Sequence, residues 1–297
     1  MEWLNIFTRR FKMCDNTDMH SSIRPLQDIH LPAADEVLRL AFRGSASRLE
    51  DLRLYRRIQP EGWFAAFQQE RLVGMVGAAC YGTFAHVGLM AVHPDCQRQG
   101  LGRFLMEFLL ARLEQQHIPL VTLDASAAGR PLYEKLGFVV CDDTLVLERP
   151  INAPVPAGGQ SLSTTALAEL AEADAPVFGA DRRKVFQALG EFFPRRTFVQ
   201  RDEQGRLSGW LFAQRSRLGP WVMLRPLGAG ALLQAALALP YDGPLSVTVP
   251  SGNLPVLELL GRHGFAPVRS NTHMRRGPGG SPGQRERVYS QTSLAVG

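Results

Sequence analysis

From residue 22 onward, apolar and polar positions switch between a helical and a β period, and the order of the switches recurs once along the chain. Val37, Leu38, Ala41 and Phe42 share one face of a helix predicted over Ala33–Phe42, and Ser47-x-x-Glu50 opens a second predicted helix as a capping box. Trp63–Gln68, Leu72–Tyr81 and Phe84–Val92 are β-rich runs, the first two joined by a polar Gln-Glu-Arg turn. Leu101, Phe104, Leu105, Phe108, Leu109 and Leu113 then repeat at helical spacing through residue 116, where His117-Ile-Pro stops the helix. Leu120–Asp124 predicts a short strand, Gly129–Phe138 a helix and Val139–Arg149 a strand that closes the first domain.

Asn152–Ser161 is rich in Pro, Gly and Ser and has little to bury, so it reads as a linker. Beyond it the order returns: helices near 165–175 and 181–190, strands near 197–201, 206–215 and 220–225, a helix at 229–239, a strand at 245–249 and a helix at 253–262. Aligning Gly264-Phe265 with Gly137-Phe138 brings Gly228-x-Gly230 to within one residue of Gly100-x-Gly102, a shared period that argues for a tandem repeat. The expected organisation is a loose N-terminal extension (1–21), a first, catalytic domain (22–151), the linker (152–161) and a diverged second copy (162–297). The expected fold class is α/β with a mixed sheet.

Composition narrows the function. With 297 residues, 45% hydrophobic and 21% charged, the chain is an ordinary globular protein. Its net charge of +5 comes from arginine, Lys12, Lys135 and Lys184 being the only lysines. The basic residues are scattered and lack interleaved aromatics, which argues against nucleic acid as a partner. No apolar run approaches the roughly 20 residues that span a bilayer, so no membrane partner is expected. Cys14, Cys80, Cys96 and Cys141 have neither metal-ligand spacing nor a disulfide pattern; a cytoplasmic protein without a metal is expected.

The most informative stretch runs from Val87 to Met106: an apolar strand, a Pro-Asp break, a glycine loop and the start of an amphipathic helix. Gly100 and Gly102 remove side chains where the helix presents unpaired N–H groups and the positive end of its dipole, a site for phosphate or pyrophosphate. No Gly-Lys-[Ser/Thr] follows, and Leu105 stands where a dinucleotide fingerprint needs its third glycine, so neither of those phosphate loops is present. Gln97-Arg98-Gln99-Gly100-Leu101-Gly102 instead resembles the pyrophosphate loop of the GNAT N-acetyltransferases, and Leu132-Tyr-Glu-Lys-Leu-Gly-Phe138 resembles that family's helix beside the acetyl-CoA sulfur.

The resemblance implies two tandem GNAT-like acyl-CoA N-acyltransferase domains and acetyl-CoA as cosubstrate. It implies that Gln97, Arg98, Gln99, Gly100, Leu101, Gly102 and Arg103 hold the pyrophosphate. Backbone N–H groups of Met90, Ala91 and Val92 would face the acetyl carbonyl and pantetheine, and the 120–124 strand would splay away to admit that arm. Tyr133 stands where many relatives place the general acid, and its phenol is neutral at physiological pH. His86, six residues before Val92, is a candidate base with a suitable ordinary pKa, although a strand histidine is also a common structural residue. Ser126 replaces a pantetheine-binding asparagine. In the second copy, Arg225-Pro-Leu-Gly-Ala-Gly230 keeps the loop pattern and Asn253 the asparagine, but Leu260 replaces the tyrosine, so that copy is expected to wall the site without catalysing. The expected reaction is direct acetyl transfer to a primary amine of a small molecule. A peptide or protein amine and a non-catalytic acyl-CoA sensor are the alternatives. Monomer and homodimer are both open.

Overall fold

In the computed structural model, the described residues are 7–12, 18–150 and 167–297, with side chains described from residue 21; the expected linker lies outside them. Two compact units divide the chain: Met1–Val121 with Val296, and Thr122–Ala295 with Gly297.

The first unit is an antiparallel meander with helices against it. β1 (Phe7–Lys12), within the stretch expected to be loose, pairs with β2 (Asp18–Pro25). After α1 (Leu31–Phe42) and α2 (Leu49–Ile58) come β3 (Trp63–Gln68), β4 (Arg71–Cys80) and β5 (Ala85–Val92), each antiparallel to the one before. Asp35 of α1, rather than the expected capping box, leads into α2: its carboxylate accepts the Arg48 N–H at 2.5 Å and the Ser47 hydroxyl at 3.2 Å. The helix therefore starts at Leu49, with no side-chain cap from its own N-terminal residue. α3 (Leu101–Gln115) lies on β4 where Gly74 leaves room: a Cβ there would sit 3.1 Å from Leu105 Cδ1 and 3.7 Å from Leu101 Cδ2. Leu101, Phe104, Leu105, Leu109 and Leu113 are all buried, each stabilising the fold by about 1.5–3 kcal/mol relative to exposure. That face fixes where the N-terminus of α3 points out of the core.

The second unit contains β6 (Val121–Ala125), which begins at its border, then α4 (Arg130–Lys135) and β7 (Val139–Arg149). It continues with α5 (Leu167–Phe178), α6 (Arg183–Phe192), β8 (Thr197–Arg201), β9 (Leu207–Ala213), β10 (Arg217–Met223) and α7 (Ala229–Leu237). It ends with β11 (Leu245–Pro250), α8 (Leu254–Arg262), β12 (Ala266–Arg276) and the short β13 (Val288–Ser290). From α5 to β12 the elements follow the same order as from α1 to β7, which bears out the repeat and the α/β class.

Strand order in this unit is β6-β12-β7-β11-β10-β9-β8, with β13 on β10. β7 thus leaves β6 and lies antiparallel between β12 and β11, paired from Ala266↔Glu148 to Arg275↔Val139 with register shifts at Pro267/Arg269 and His273/Met274 on one side, and in continuous register from Leu245↔Arg149 to Pro250↔Thr144 on the other. The two halves have exchanged their closing strands. Each 11-residue strand thereby gains a neighbour along both edges, which satisfies backbone groups that an edge strand leaves to solvent.

Candidate active site

β5 does not run evenly to its end. Met75 pairs with Ala91 and Gly77 with Gly88, so Leu89 and Met90 together face the single residue Val76, and Leu89 takes a left-handed φ of 54°. This bulge, with both residues half-buried, re-aims the backbone just before Ala91 and Val92. His86 precedes the bulge, opposite Ala79, and is 2% exposed.

Past β5 the chain turns through Pro94–Cys96 and into the loop. The Gln97 carboxamide donates to the Val92 carbonyl and that of Gln99 to the Asp95 carbonyl, both at 3.0 Å, while the Gln97 N–H donates to Pro94 O. Gln97 and Gln99 therefore brace the turn. Arg98 (φ 61°) and Gly100 (φ 85°, ψ −6°) are both left-handed, and Gly100 caps α3. The first N–H of the helix to find an acceptor is that of Phe104, to the Gly100 carbonyl at 3.0 Å. For the N–H groups of residues 98–103 there is no acceptor among the described residues. Leu101 is buried; Arg98 and Arg103 are exposed, Arg103 paired with Glu107 at 2.7 Å. A row of donors without acceptors, the positive end of a helix dipole and the Arg98 guanidinium are the features that suit an anion.

In the second unit, Ser126 follows β6 on the exposed side of a turn into α4, its hydroxyl accepting the Gly129 N–H at 3.2 Å. Tyr133 projects from α4 back over Gly129. A Cβ on Gly129 would lie 3.1 Å from the tyrosine ring, 3.6 Å from its hydroxyl and 3.4 Å from Ser126 Oγ, so the missing side chain is what lets the two hydroxyls flank one point. The ring is buried, edge-on to Phe138 at 5.9 Å. Burial pushes the phenol up to about 12, because the phenolate would lose its hydration. No acceptor among the described residues holds its hydroxyl proton.

Sequence reasoning missed the group beside this turn. The Asp124 carboxylate accepts the Thr144 hydroxyl at 2.7 Å and meets His273 Nδ1 at 3.0 Å, the side chains of Asp124 and His273 being almost fully buried. His273 comes from β12, and only the strand exchange brings it beside β6. No local pattern announces such a contact. Among the described residues, no group of three or more His, Cys, Asp or Glu side chains could hold a metal, and no helix is long and apolar enough to cross a membrane.

The second copy of the loop keeps the backbone of the first. Gly228 caps α7 at φ 94°, ψ −4°. The Gln200 side chain fills the space in front of it, its Cγ and Cδ 2.6 and 2.7 Å from where a Cβ would be. Arg225 is tied to Asp202 at 2.9 Å, and Pro226 supplies no N–H. Leu260, at the position matching Tyr133, is fully buried core.

Comparison with known proteins shows the family. Residues 39–148 and residues 170–290 each match a family described as an acetyltransferase (GNAT) domain, and together the matches cover more than half of the chain. The uncharacterized N-acetyltransferase YitH of Bacillus subtilis is 24% identical over 215 residues, which span 69% of this chain and 75% of that one. The ribosomal protein bS18-alanine N-acetyltransferase of Escherichia coli is 48% identical over 52 residues, 16% of this chain and 35% of that one. A crystal structure of a Pyrococcus horikoshii protein assigned as an acetyltransferase superposes with a TM-score of 0.81 at 25% identity, covering 93% of this chain and 96% of the other.

Proposed function

This chain belongs to the GNAT acetyltransferase family, with two such domains in tandem, and on that premise we propose that its first domain transfers the acetyl group of acetyl-CoA to a primary amine of a small molecule by direct attack in a ternary complex. The observation that carries this reading is the row of acceptor-free N–H groups from Arg98 to Arg103 behind the left-handed Gly100. A pyrophosphate fits that donor set, and acetyl-CoA supplies the activated acyl group.

The chain's own residues divide the work. The loop from Gln97 to Arg103 binds, its two glutamines bracing the turn. The bulge at Leu89–Met90 re-aims the backbone before Ala91 and Val92, and backbone N–H groups from Met90 to Val92 would face the carbonyl oxygen and stabilise developing negative charge. Ser126 has a hydroxyl proton left to donate to an amide of the pantetheine arm, since its oxygen is engaged only as an acceptor. Tyr133 gives its proton to the departing thiolate; a phenol near 12 keeps that proton at working pH, and no other group claims it. His86, being buried, reaches the amine only through water if it is the base. Cys80, Cys96 and Cys141, in no disulfide among the described residues, support a reducing, cytoplasmic setting.

Likeness to the bS18-alanine enzyme over 52 residues favours a second reading, a peptide N-terminal amine as acceptor. The test is thiol release from acetyl-CoA by the full chain against a panel of small amines and short peptides. Release with a small amine is expected, and release with peptides alone selects the second reading. CoA binding with no release on any acceptor, together with indifference to loss of Tyr133, would make the protein a sensor instead.

A further inference from the structure

β10 and β11 are paired in parallel only at Arg217↔Ser246 and Leu218↔Val247, after which they part. The gap between them is filled by the chain itself. β13 pairs antiparallel with β10 at Trp221↔Ser290 and Val222↔Val288, and on the other side the Gln291 N–H donates to the Thr248 carbonyl of β11 at 2.8 Å. Ser290, fully buried, bridges both edges: its hydroxyl accepts the Thr248 N–H at 3.1 Å and donates to the Leu218 carbonyl at 2.7 Å.

The residues lining this gap are turned to the inserted segment. Asn253 sits at the N-terminus of α8, but its carboxamide makes no cap; it donates to the carbonyls of Glu286 and Val288 at 3.1 and 3.0 Å. Gln214, also buried, donates to the Thr292 carbonyl at 2.9 Å. Gly219 has no room for a side chain, because a Cβ would collide with the Gln291 carbonyl. Beyond it, the buried Arg182, held by two bonds to Asp174 at 2.6 and 2.7 Å, donates to the Thr292 hydroxyl at 3.2 Å.

We propose that the second domain's cleft is a binding site for an extended peptide, that its ligand is the chain's own segment 286–292, and that this segment stands where a pantetheine arm would otherwise lie. The assignment of the cleft rests on the reading of the first half: β10, β11 and Asn253 are the counterparts of β5, β6 and Ser126. A peptide is suited to replace that arm, because each offers amide carbonyls at intervals along an extended chain, and Asn253 takes two of them. With the cleft filled and Gln200 against Gly228, each chain binds one acyl-CoA.

Hydrogen exchange on the full-length protein, with free CoA as the probe, tests this. In the absence of CoA, the amides of Gln291 and Thr292 should exchange at least about 100-fold more slowly than in an unstructured chain, as buried bonded amides do. Saturating CoA should slow residues 98–103 and leave 288–292 unchanged. Asn253→Ser and Gln214→Ala should each speed exchange at 288–292 about tenfold or more without affecting 98–103. Amides at 288–292 that exchange freely, that lose protection when CoA is added, or that ignore both substitutions would overturn the proposal. Silence at 98–103 on adding CoA counts against the first-half reading alone, since the two substitutions report on the segment without any ligand.

Discussion

Gly100 and Gly228 hold matching places in the two halves, and their backbones differ by less than 10° in φ and in ψ. Around Gly100 the donors face outward and Arg98 has no ion-pair partner among the described residues. Around Gly228 a glutamine leans into the space, the arginine is neutralised by Asp202, and a proline has removed one donor. The glycine turn alone therefore does not decide what stands in front of it. The glycine conformation is the same in both because each stands at the entry to a helix, whereas the side chains in front of it differ.

The sharpest way to break this contrast is through the proposed acid and its counterpart. Tyr133→Phe should lower kcat by about 10²–10⁴-fold, the usual worth of positioned proton transfer, with KM for acetyl-CoA nearly unchanged and the fold intact. Leu260→Ala should instead cost about 2–5 kcal/mol of stability, read by denaturant unfolding, with kcat of the folded fraction unchanged. If Tyr133→Phe keeps full kcat while chemistry limits the rate, the tyrosine is core like Leu260 and the contrast fails. The direction of its pKa adds a check. Folding raises it from near 10 to about 12, so the native state keeps a proton through that window which the unfolded chain gives up. Its contribution to stability is thus complete below pH 10 and lost as pH rises to 12, and an alkaline fall of kcat below pH 10 belongs to another group.

A smaller effect separates the glycines. Gly100→Val places a branched residue at φ 85° inside the cradle and should weaken CoA binding at least tenfold in a calorimetric titration. Gly228→Val should leave CoA affinity as it was, although its clash with Gln200 lowers stability. Equal losses of affinity would show that both loops bind. Smallest of all, Arg98→Gln should weaken CoA roughly two- to fivefold, and less at high salt, while Arg225→Gln does nothing.

Most elements were legible because their signals are local. The helical face of Leu101 to Leu113 and the β-rich runs around Trp63 and Met75 each report on a segment's own burial, and the glycines of 100 and 102 on its own turn. What stayed hidden depends on partners far along the chain. Ala266–Arg276 carries Arg269, Asn271, His273 and two arginines in a strand whose inward positions are decided by β6 and β7, so no apolar alternation marks it. The same holds for Asp35 displacing the capping box, for Gln200 in front of Gly228, and for residues 286–292, which look like a polar tail until β10 and β11 are seen to part around them. The expectation for Tyr133 comes from its own sequence neighbours; nothing local points to the Asp124–His273 pair.

The exchange of closing strands also sets a timetable. β7 is complete when Arg149 has been synthesised, but the strands that flank it end at Pro250 and Arg276. At roughly 5–20 residues per second a ribosome takes on the order of ten seconds to deliver them. For that interval β7 has an open hydrogen-bonding edge on both sides, with Val139, Val140, Val146 and Leu147 along it, and β6 waits for the partner its own half does not provide. Nascent chains on neighbouring ribosomes could satisfy those edges equally well, so slow synthesis of the second half should favour entanglement between copies over folding within one.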